Sequence, residues 1–391
     1  MSKTIVFCAD GTWNGPDEEA DGHAPDAASG LQPGLTNVCK AFAWLKGDIQ
    51  PNDKWGGVEM EKILADTHGA PVQVAKYLHG VGDSTKLPGR IAGGAFGVGV
   101  VARIARGYTY ISRNYADGDS IVIIGFSRGA YTARALAGLI AGQGLLRTDL
   151  ASADDNNRYD TAAAAWFRWR RSQESLLQKL EDDVVEFVEL RSAFPNARKL
   201  DDSSFVPVNI AAVAVWDTVG ALGIPIYHMG AVVDLFRFCN TSLSPKIRFG
   251  IHAVSIDEER VPFAPTLWSG NDPRLTQALF AGGHCDIGGG YDDHGLSDGP
   301  LLWVVNKLKA PDIGVQFNDA PPCPVQFDPL AARHRAWVDD PAWFAVGVAS
   351  RRFPAGFPVD ASVRQRMTKT VEVLFGDPGN EAAYAPGNLP A

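Results

Sequence analysis

The sequence lacks several features that mark large classes of protein. It has no excess of positive charge, because 45 Asp and Glu residues outnumber 36 Lys and Arg residues and the formal net charge is −9. This balance argues against nucleic-acid binding and against electrostatic attachment to anionic lipid. It also lacks any run of about 18 uncharged apolar residues, so we expect no transmembrane helix.

Cysteine is scarce and scattered. The chain has five cysteines, an odd number, and no Cys-x-x-Cys pair. This pattern predicts neither a disulfide framework nor a zinc site. The glycine-rich stretch from Gly93 to Gly99 lacks the Lys-Ser/Thr pair of a Walker loop. We therefore predict no cofactor and no bound metal.

The N-terminal segment has one lysine and a short apolar run, and it reaches Asp10 without a cleavage site. These features do not match a secretory signal peptide. We expect a cytoplasmic protein, or one exported by a machine that needs no cleaved signal.

The most informative stretch covers residues 120–140. An apolar, β-branched run leads into Gly125-Phe126-Ser127-Arg128-Gly129, and a helical pattern rich in small residues follows. A strand, a Gly-x-Ser-x-Gly turn and a helix are the parts of a nucleophile elbow. The free N–H groups at the start of the helix favour developing negative charge. Ser127 is therefore the predicted nucleophile.

A serine nucleophile needs a base and an acid that orients the base. His284 lies in a glycine-rich segment and is the favoured base, while His252 lies within a strand pattern that is typical of a packed core residue. Asp217 follows an apolar strand and is the favoured acid. The alternative acid, Asp257, begins a charged run that is typical of a solvated loop.

The tetrahedral intermediate needs hydrogen-bond donors. We expect the N–H of Arg128, which follows the nucleophile, and donors from Gly11 and Thr12 after the first strand. A metal role for Asp10 with Asp286 and Asp298 is an alternative that we do not favour, since the spacing is not that of an EF-hand loop.

Strands alternate with helices along most of the chain, which predicts a parallel sheet with helices on both faces. We read residues 1–391 as one domain with an inserted helical cap at about 150–205 and an irregular C-terminal extension at about 310–391. Trp166 and Trp169 in the insertion are expected to line an acyl-sized apolar pocket, with packing inside the cap as the alternative.

Several motifs together resemble one known family, and they extend over essentially the whole chain. They are DGTWN, TNV, GVGD, GGAFG, GFSRGAYTAR, VWDTVGALGIP, HAVSIDEER, GGHCDIGGGY, GLSD and NLP. The chain resembles the α/β-hydrolase domain family of the type VI secretion phospholipase effectors. The family's nucleophile, acid and base fall on Ser127, Asp217 and His284. The departures are GVGD where GVGT is common, and Gly282-Gly283 before His284 where GVH is common.

The resemblance implies an α/β-hydrolase fold and a serine ester hydrolase of phospholipase type. It implies an acyl-ester substrate such as a phospholipid, transient contact with a membrane, and an immunity or secretion partner protein. Two alternatives remain open at this point: a carboxylesterase with a small housekeeping ester as substrate, and a catalytically silent hydrolase-fold protein that binds a ligand or partner.

Overall fold

The computed structural model of the chain describes residues 2–11, 34–51, 59–80, 95–152, 156–173, 196, 198–219, 226–228, 231–233, 241–339, 343, 347–372 and 381–390. The strands in these ranges are β1 (Thr4–Ala9), β2 (Asp48–Ile49), β3 (Glu59–Ala65), β4 (Pro71–Leu78), β5 (Ser120–Phe126), β6 (Leu145–Leu146), β7 (Phe205–Val206), β8 (Ile210–Trp216), β9 (Ile226–His228), β10 (Ala231–Val233), β11 (Ile247–Ser255), β12 (Leu275–Phe280), β13 (Thr370–Glu372) and β14 (Glu381–Ala383). The helices are α1 (Asn37–Trp44), α2 (Ala95–Asn114), α3 (Arg128–Gln143), α4 (Thr148–Ala151), α5 (Asn156–Gln173), α6 (His284–Gly288), α7 (Asp298–Leu308), α8 (Ala336–Asp339) and α9 (Ala361–Met367).

The main sheet has eight strands in the order β12-β11-β8-β5-β1-β4-β3-β2. All neighbours from β12 to β4 are parallel, and β3 and β2 add an antiparallel edge. The carboxyl ends of parallel strands lie along one edge of a sheet, where ligands of such folds bind. The sheet therefore places the residues that follow β1, β5, β8, β11 and β12 near one another.

Both faces of the sheet are covered by helices. Successive side chains along a strand point to opposite faces, so the apolar strands need a covering layer on each side. In β1, Ile5 and Phe7 belong to a core shared with α2, α3 and α5, whereas Val6 and Cys8 belong to a core shared with α1 and α7. The predicted alternation of strands and helices is confirmed as a mixed α/β fold. Within the described ranges, no helix combines the length and apolar character needed to cross a membrane.

The main described element of the expected cap, α5, packs on α2 and α3. Trp166 and Trp169 are only 3% and 6% exposed, and the Trp169 indole lies against Gly138 and Gly142. These glycines are in the second half of α3, so a rise of about 1.5 Å per residue puts them on the order of 15 Å or more from Ser127. The Trp166 ring lies 5.1 Å from the Trp169 ring, so both indoles pack in the helical layer rather than line a pocket at Ser127. Residues 174–195 lie outside the described residues, so a cap over the site stays a prediction.

The C-terminal part of the chain returns to the sheet. Val348 pairs with Arg260 in an antiparallel bridge, and the Ala349 N–H donates to the Glu259 carbonyl at 2.7 Å. Val359 forms a parallel bridge with Leu279 of β12. The predicted irregular extension is therefore anchored on the loop that follows β11 and on the β12 edge.

Candidate active site

Ser127 lies at the turn between β5 and α3. Its backbone angles are φ 57° and ψ −124°, a conformation that residues other than glycine rarely adopt. The Ser127 N–H donates to the carbonyl of Trp216 at 3.2 Å, and the Ser127 carbonyl accepts from Tyr131 N–H at 3.2 Å. The neighbouring strand and helix thus hold the serine in a strained turn at the carboxyl end of β5.

The glycine before this turn is required by close packing. An ideal Cβ on Gly125 would lie 2.5 Å from the carbonyl oxygen of Gly129. Close-packed backbone atoms cannot give way as the end of a flexible side chain can. The first helical turn can therefore fold back onto β5 only with glycine at this position, which explains the first glycine of the motif.

His284 connects the serine to the acid. Its Nε2 lies 2.7 Å from Ser127 Oγ and its Nδ1 lies 2.6 Å from Asp217 Oδ2. An ionised carboxylate can only accept hydrogen bonds, so the proton belongs on Nδ1 and Nε2 is left to accept from the serine hydroxyl. This is the tautomer that a general base needs.

The environment of His284 favours the neutral ring. The ring packs against Phe126, at 4.6 Å between centroids, and edge-on against Phe263 at 5.0 Å. Burial lowers the pKa of His284, and the hydrogen bond and charge of Asp217 oppose that effect only in part. The imidazole is therefore poised to take up a proton rather than already carrying one.

Asp217 follows β8 and is fully buried. Its Oδ1 accepts from the Ser255 N–H at 3.0 Å, and the Arg351 guanidinium donates to both carboxylate oxygens at 2.7 and 2.9 Å. Burial alone would raise the pKa of Asp217, but the charge of Arg351 and the His284 hydrogen bond hold it well below its usual range. The acid is therefore ionised at any pH near neutrality.

The alternative base and acid have other partners. His252 Nε2 accepts from the Thr218 N–H at 3.1 Å, and burial lowers the pKa of His252 to about 3. Asp257 accepts from the Gly282 N–H at 2.7 Å and from the Tyr384 hydroxyl at 2.7 Å. In this arrangement Asp257 holds the backbone before His284 and does not bind its ring.

The charged run beginning at Asp257 is not the solvated loop that its composition suggests. Glu258 is only 1% exposed and pairs with the Arg260 guanidinium at 2.8 and 2.9 Å. The second Glu258 oxygen also accepts from the His284 N–H at 3.2 Å. Glu258 can be buried because buried charges are stable when they are paired and hydrogen-bonded. In this position its carboxylate also holds the backbone of His284.

The structure describes two of the three predicted oxyanion donors. Arg128 is the first residue of α3, so its N–H is one of the orphan donors at the helix start. An ideal Cβ on Gly11 would lie 3.4 Å from Ser127 Cβ, but the Gly11 N–H donates to Asp10 Oδ1 at 2.6 Å. Thr12 lies outside the described residues. The oxyanion role of all three stays a prediction.

The three acids considered for a metal have separate partners. Asp10 accepts from Thr36 and Tyr77, Asp286 pairs with His334, and Asp298 pairs with Lys40 and His294. Within the described ranges, no group of three His, Cys, Asp or Glu side chains is arranged to hold a metal ion.

Sequence reasoning missed Arg351 and Glu258. Arg351 reaches Asp217 from 134 positions away, and Glu258 accepts a hydrogen bond from the His284 backbone N–H. Glu258 lies in the HAVSIDEER motif, but nothing in that motif indicates its role. The sequence carried one weak signal for both residues: each is a charged side chain in a segment that otherwise packs against the core.

Comparison with known proteins supplies the family. A comparison with curated proteins finds no match. Among solved structures, one similar chain is an uncharacterized protein from Pseudomonas aeruginosa, at 16% identity and a TM-score of 0.45, with 81% of this chain and 46% of that chain covered. Another is a Tle1 effector bound to the VgrG spike of the type 6 secretion system, at 17% identity and a TM-score of 0.36, with 74% and 51% covered. The chain thus spans about half the length of these two structures.

The match to a protein family is more extensive. Residues 3–307 match the family described as type VI secretion system phospholipase effector Tle1-like, catalytic domain. This range includes Ser127, Asp217 and His284, and it confirms the resemblance drawn from the motifs. The chain therefore belongs to the family of Tle1-like phospholipase effectors of type VI secretion.

Proposed function

We propose that the protein is a serine ester hydrolase that cleaves acyl esters of phospholipids, with Ser127 as nucleophile, His284 as base and Asp217 as the orienting acid. The observation that carries this proposal is the continuous hydrogen-bonded chain from Ser127 Oγ through the His284 ring to the Asp217 carboxylate. The strained turn at Ser127 and the family membership support it. Along the chain the nucleophile comes first, then the acid, then the base, which is the order of α/β-hydrolases. This order, on a mostly parallel sheet, supports an α/β-hydrolase fold.

The reaction follows from this geometry. His284 Nε2 takes the proton of Ser127 as Oγ attacks the ester carbonyl, and Asp217 stabilises the imidazolium that forms. The Arg128 N–H, with the predicted donors from Gly11 and Thr12, stabilises the oxyanion. His284 then protonates the leaving alcohol, which leaves an acyl group on Ser127. Water, deprotonated by His284, releases the fatty acid.

The family also suggests how the protein is used. We infer that it is exported by a type VI secretion system in association with a component of that machine, and that it acts on membrane lipid through transient contact. An immunity partner would protect the producing cell, as the family resemblance implies.

A small-ester carboxylesterase is the second candidate. It is favoured by one observation: the two indoles expected to line an acyl pocket, Trp166 and Trp169, pack instead against α2 and α3. The third candidate, a catalytically silent binding protein, gives no role to the hydrogen-bonded chain from Ser127 to Asp217.

One assay separates these functions. Purified protein is given p-nitrophenyl esters of graded chain length and phospholipid vesicles, and the products are identified by mass spectrometry. The proposal predicts free fatty acid and lysophospholipid from the vesicles, and their loss in Ser127→Ala. Turnover of short esters alone would favour the carboxylesterase, and no turnover of any ester would favour the silent binding protein.

A further inference from the structure

Arg351 lies directly behind the acid of the site. Its Nη1 donates to Asp217 Oδ1 at 2.7 Å and to the Ser255 carbonyl at 2.8 Å, and its Nη2 donates to Asp217 Oδ2 at 2.9 Å and to the Phe263 carbonyl. The guanidinium has five N–H donors in a rigid fork, and four of them are used here. The side chain is only 4% exposed. The four hydrogen bonds therefore fix the orientation of the guanidinium, and the guanidinium in turn fixes the plane of the Asp217 carboxylate.

The segment that carries Arg351 is itself held in place. The Val261 N–H donates to the Gly347 carbonyl at 3.0 Å, and the side-chain amide of Asn388 donates to the carbonyls of Ile256 and Arg351 at 3.0 and 3.2 Å. These contacts join the arginine backbone to the loop after β11. Gly347, Arg351 and Asn388 lie beyond residues 3–307, the range that matches the catalytic domain of the family, whereas Val261 and Ile256 lie within it.

Asp217 Oδ2 accepts from both Arg351 and His284, and Arg351 also donates to Oδ1, so Arg351 holds both oxygens of the carboxylate that orients His284. If the carboxylate rotated about its Cβ–Cγ bond, the hydrogen bond from His284 Nδ1 to Asp217 Oδ2 would break. The tautomer with the proton on Nδ1, which the base needs, would then no longer be fixed. A bidentate arginine prevents this rotation, which a single-point lysine cannot do as well.

We propose that Arg351 is a positioning residue of the active site, which orients the Asp217 carboxylate toward His284 and balances its charge. The segment 347–351 is then part of the hydrolytic machinery, although it lies outside the matched catalytic domain. This proposal rests on the proposed function for its kinetic test but has a second readout that does not depend on hydrolysis.

The charges around His284 determine the sign of the expected effect. Asp217 and Glu258 are the facing anions, Arg351 and Arg260 are the facing cations, and the rings of Phe126 and Phe263 complete the surroundings. Removing the charge of Arg351 leaves Asp217 less compensated, which favours the protonated imidazolium. The acidic limb of the kcat/KM profile should therefore move to higher pH.

The test compares Arg351→Met and Arg351→Lys with wild type on a soluble ester. In Arg351→Met, kcat should fall at least about tenfold with KM nearly unchanged, and the acidic limb should rise by about one pH unit. Arg351→Lys should keep the limb near its wild-type position but lose part of kcat. Arg352→Met is the matched control, since the neighbouring Arg352 is exposed, and it should match wild type.

A double-mutant cycle guards against a general loss of folding. In an Asp217→Asn background, Arg351→Met should cost less than about threefold, because its target charge is already gone. Equal losses in both backgrounds, or a reduced rate with an unmoved limb, would show that Arg351 serves only packing and would overturn the proposal.

The second readout is the pKa of the His284 ring by NMR on histidine-labelled protein, with its signal assigned through His284→Gln. It should rise in Arg351→Met and stay in Arg352→Met. A rise in a protein that hydrolyses no ester would refute the proposed function but keep the positioning role. An unchanged pKa in an active enzyme would refute the positioning role and keep the function.

Discussion

Gly129 presses directly against the end of β1, since an ideal Cβ on Gly129 would lie 2.1 Å from the carbonyl oxygen of Ala9. The contact joins the first turn of α3 to the strand whose end carries the predicted oxyanion donors. Together with the contact between Gly125 and Gly129, it holds the turn that carries Ser127 against β1 and within itself.

Gly129→Ala should destabilise the protein by at least about 2 kcal/mol, because the added methyl group can be accommodated only by moving backbone. The free energy of unfolding from urea titration measures the change. Gly387→Ala is the matched control, since no atom lies within 4 Å of its ideal Cβ, and it should cost less than about 0.5 kcal/mol. Equal effects of the two substitutions would contradict the packing described here.

The pH dependence follows from His284. The base must be neutral to act, and burial lowers its pKa, so the active form should persist below pH 6.5. The acidic limb of kcat/KM on a soluble ester should have its midpoint below about 6.5, while Asp217 stays ionised throughout. A midpoint above that value, in protein that circular dichroism shows to be folded, would mean that another group controls the rate.

The two candidate acids should differ sharply. Asp217→Asn removes the acceptor that sets the His284 tautomer and should reduce kcat by about 10³-fold or more. Asp257→Asn weakens the contact with the Gly282 N–H and should cost less than about tenfold, together with some stability. Kinetics of both variants on one soluble ester measure this. The reverse ranking would assign the acid to Asp257.

Much of this site was predictable because its signals are local. The elbow at Ser127 follows from five consecutive residues between a strand and a helix, and Asp217 from a lone acid after an apolar strand. The parallel part of the sheet, from β12 to β4, was predictable for a similar reason, because its strands are short apolar runs that alternate with helices. The antiparallel strand β3, which lies between β4 and the edge strand β2, was not predicted, because Glu59–Ala65 mixes charged and apolar residues in a weak pattern.

Arg351 and the burial of Glu258 were not predictable from the sequence. A partner 134 positions away has no periodicity to reveal it, and a charged run looks solvated until its counterions are known. The same limit applies to Trp169, because an indole on a helix faces either a pocket or a neighbouring helix, and only the glycines of α3 decide between them.

Trp169→Ala should therefore act on stability and not on substrate choice. Removing a buried indole costs about 3–5 kcal/mol, and activity on short and long esters should fall in the same proportion. Thermal unfolding and p-nitrophenyl acetate and decanoate assays measure both effects, with Trp169→Phe as the milder control. A loss of activity on the long ester alone would show that Trp169 lines an acyl pocket and would contradict this prediction.

The central claim is that Ser127 carries the acyl group, and covalent labelling tests it most directly. A fluorophosphonate probe, followed by peptide mass spectrometry, should modify Ser127 in wild type. It should give no adduct in Ser127→Ala and react about 10³-fold more slowly in His284→Ala. An unlabelled Ser127 in folded protein that hydrolyses phospholipid, or an adduct on another residue that persists in Ser127→Ala, would contradict the account.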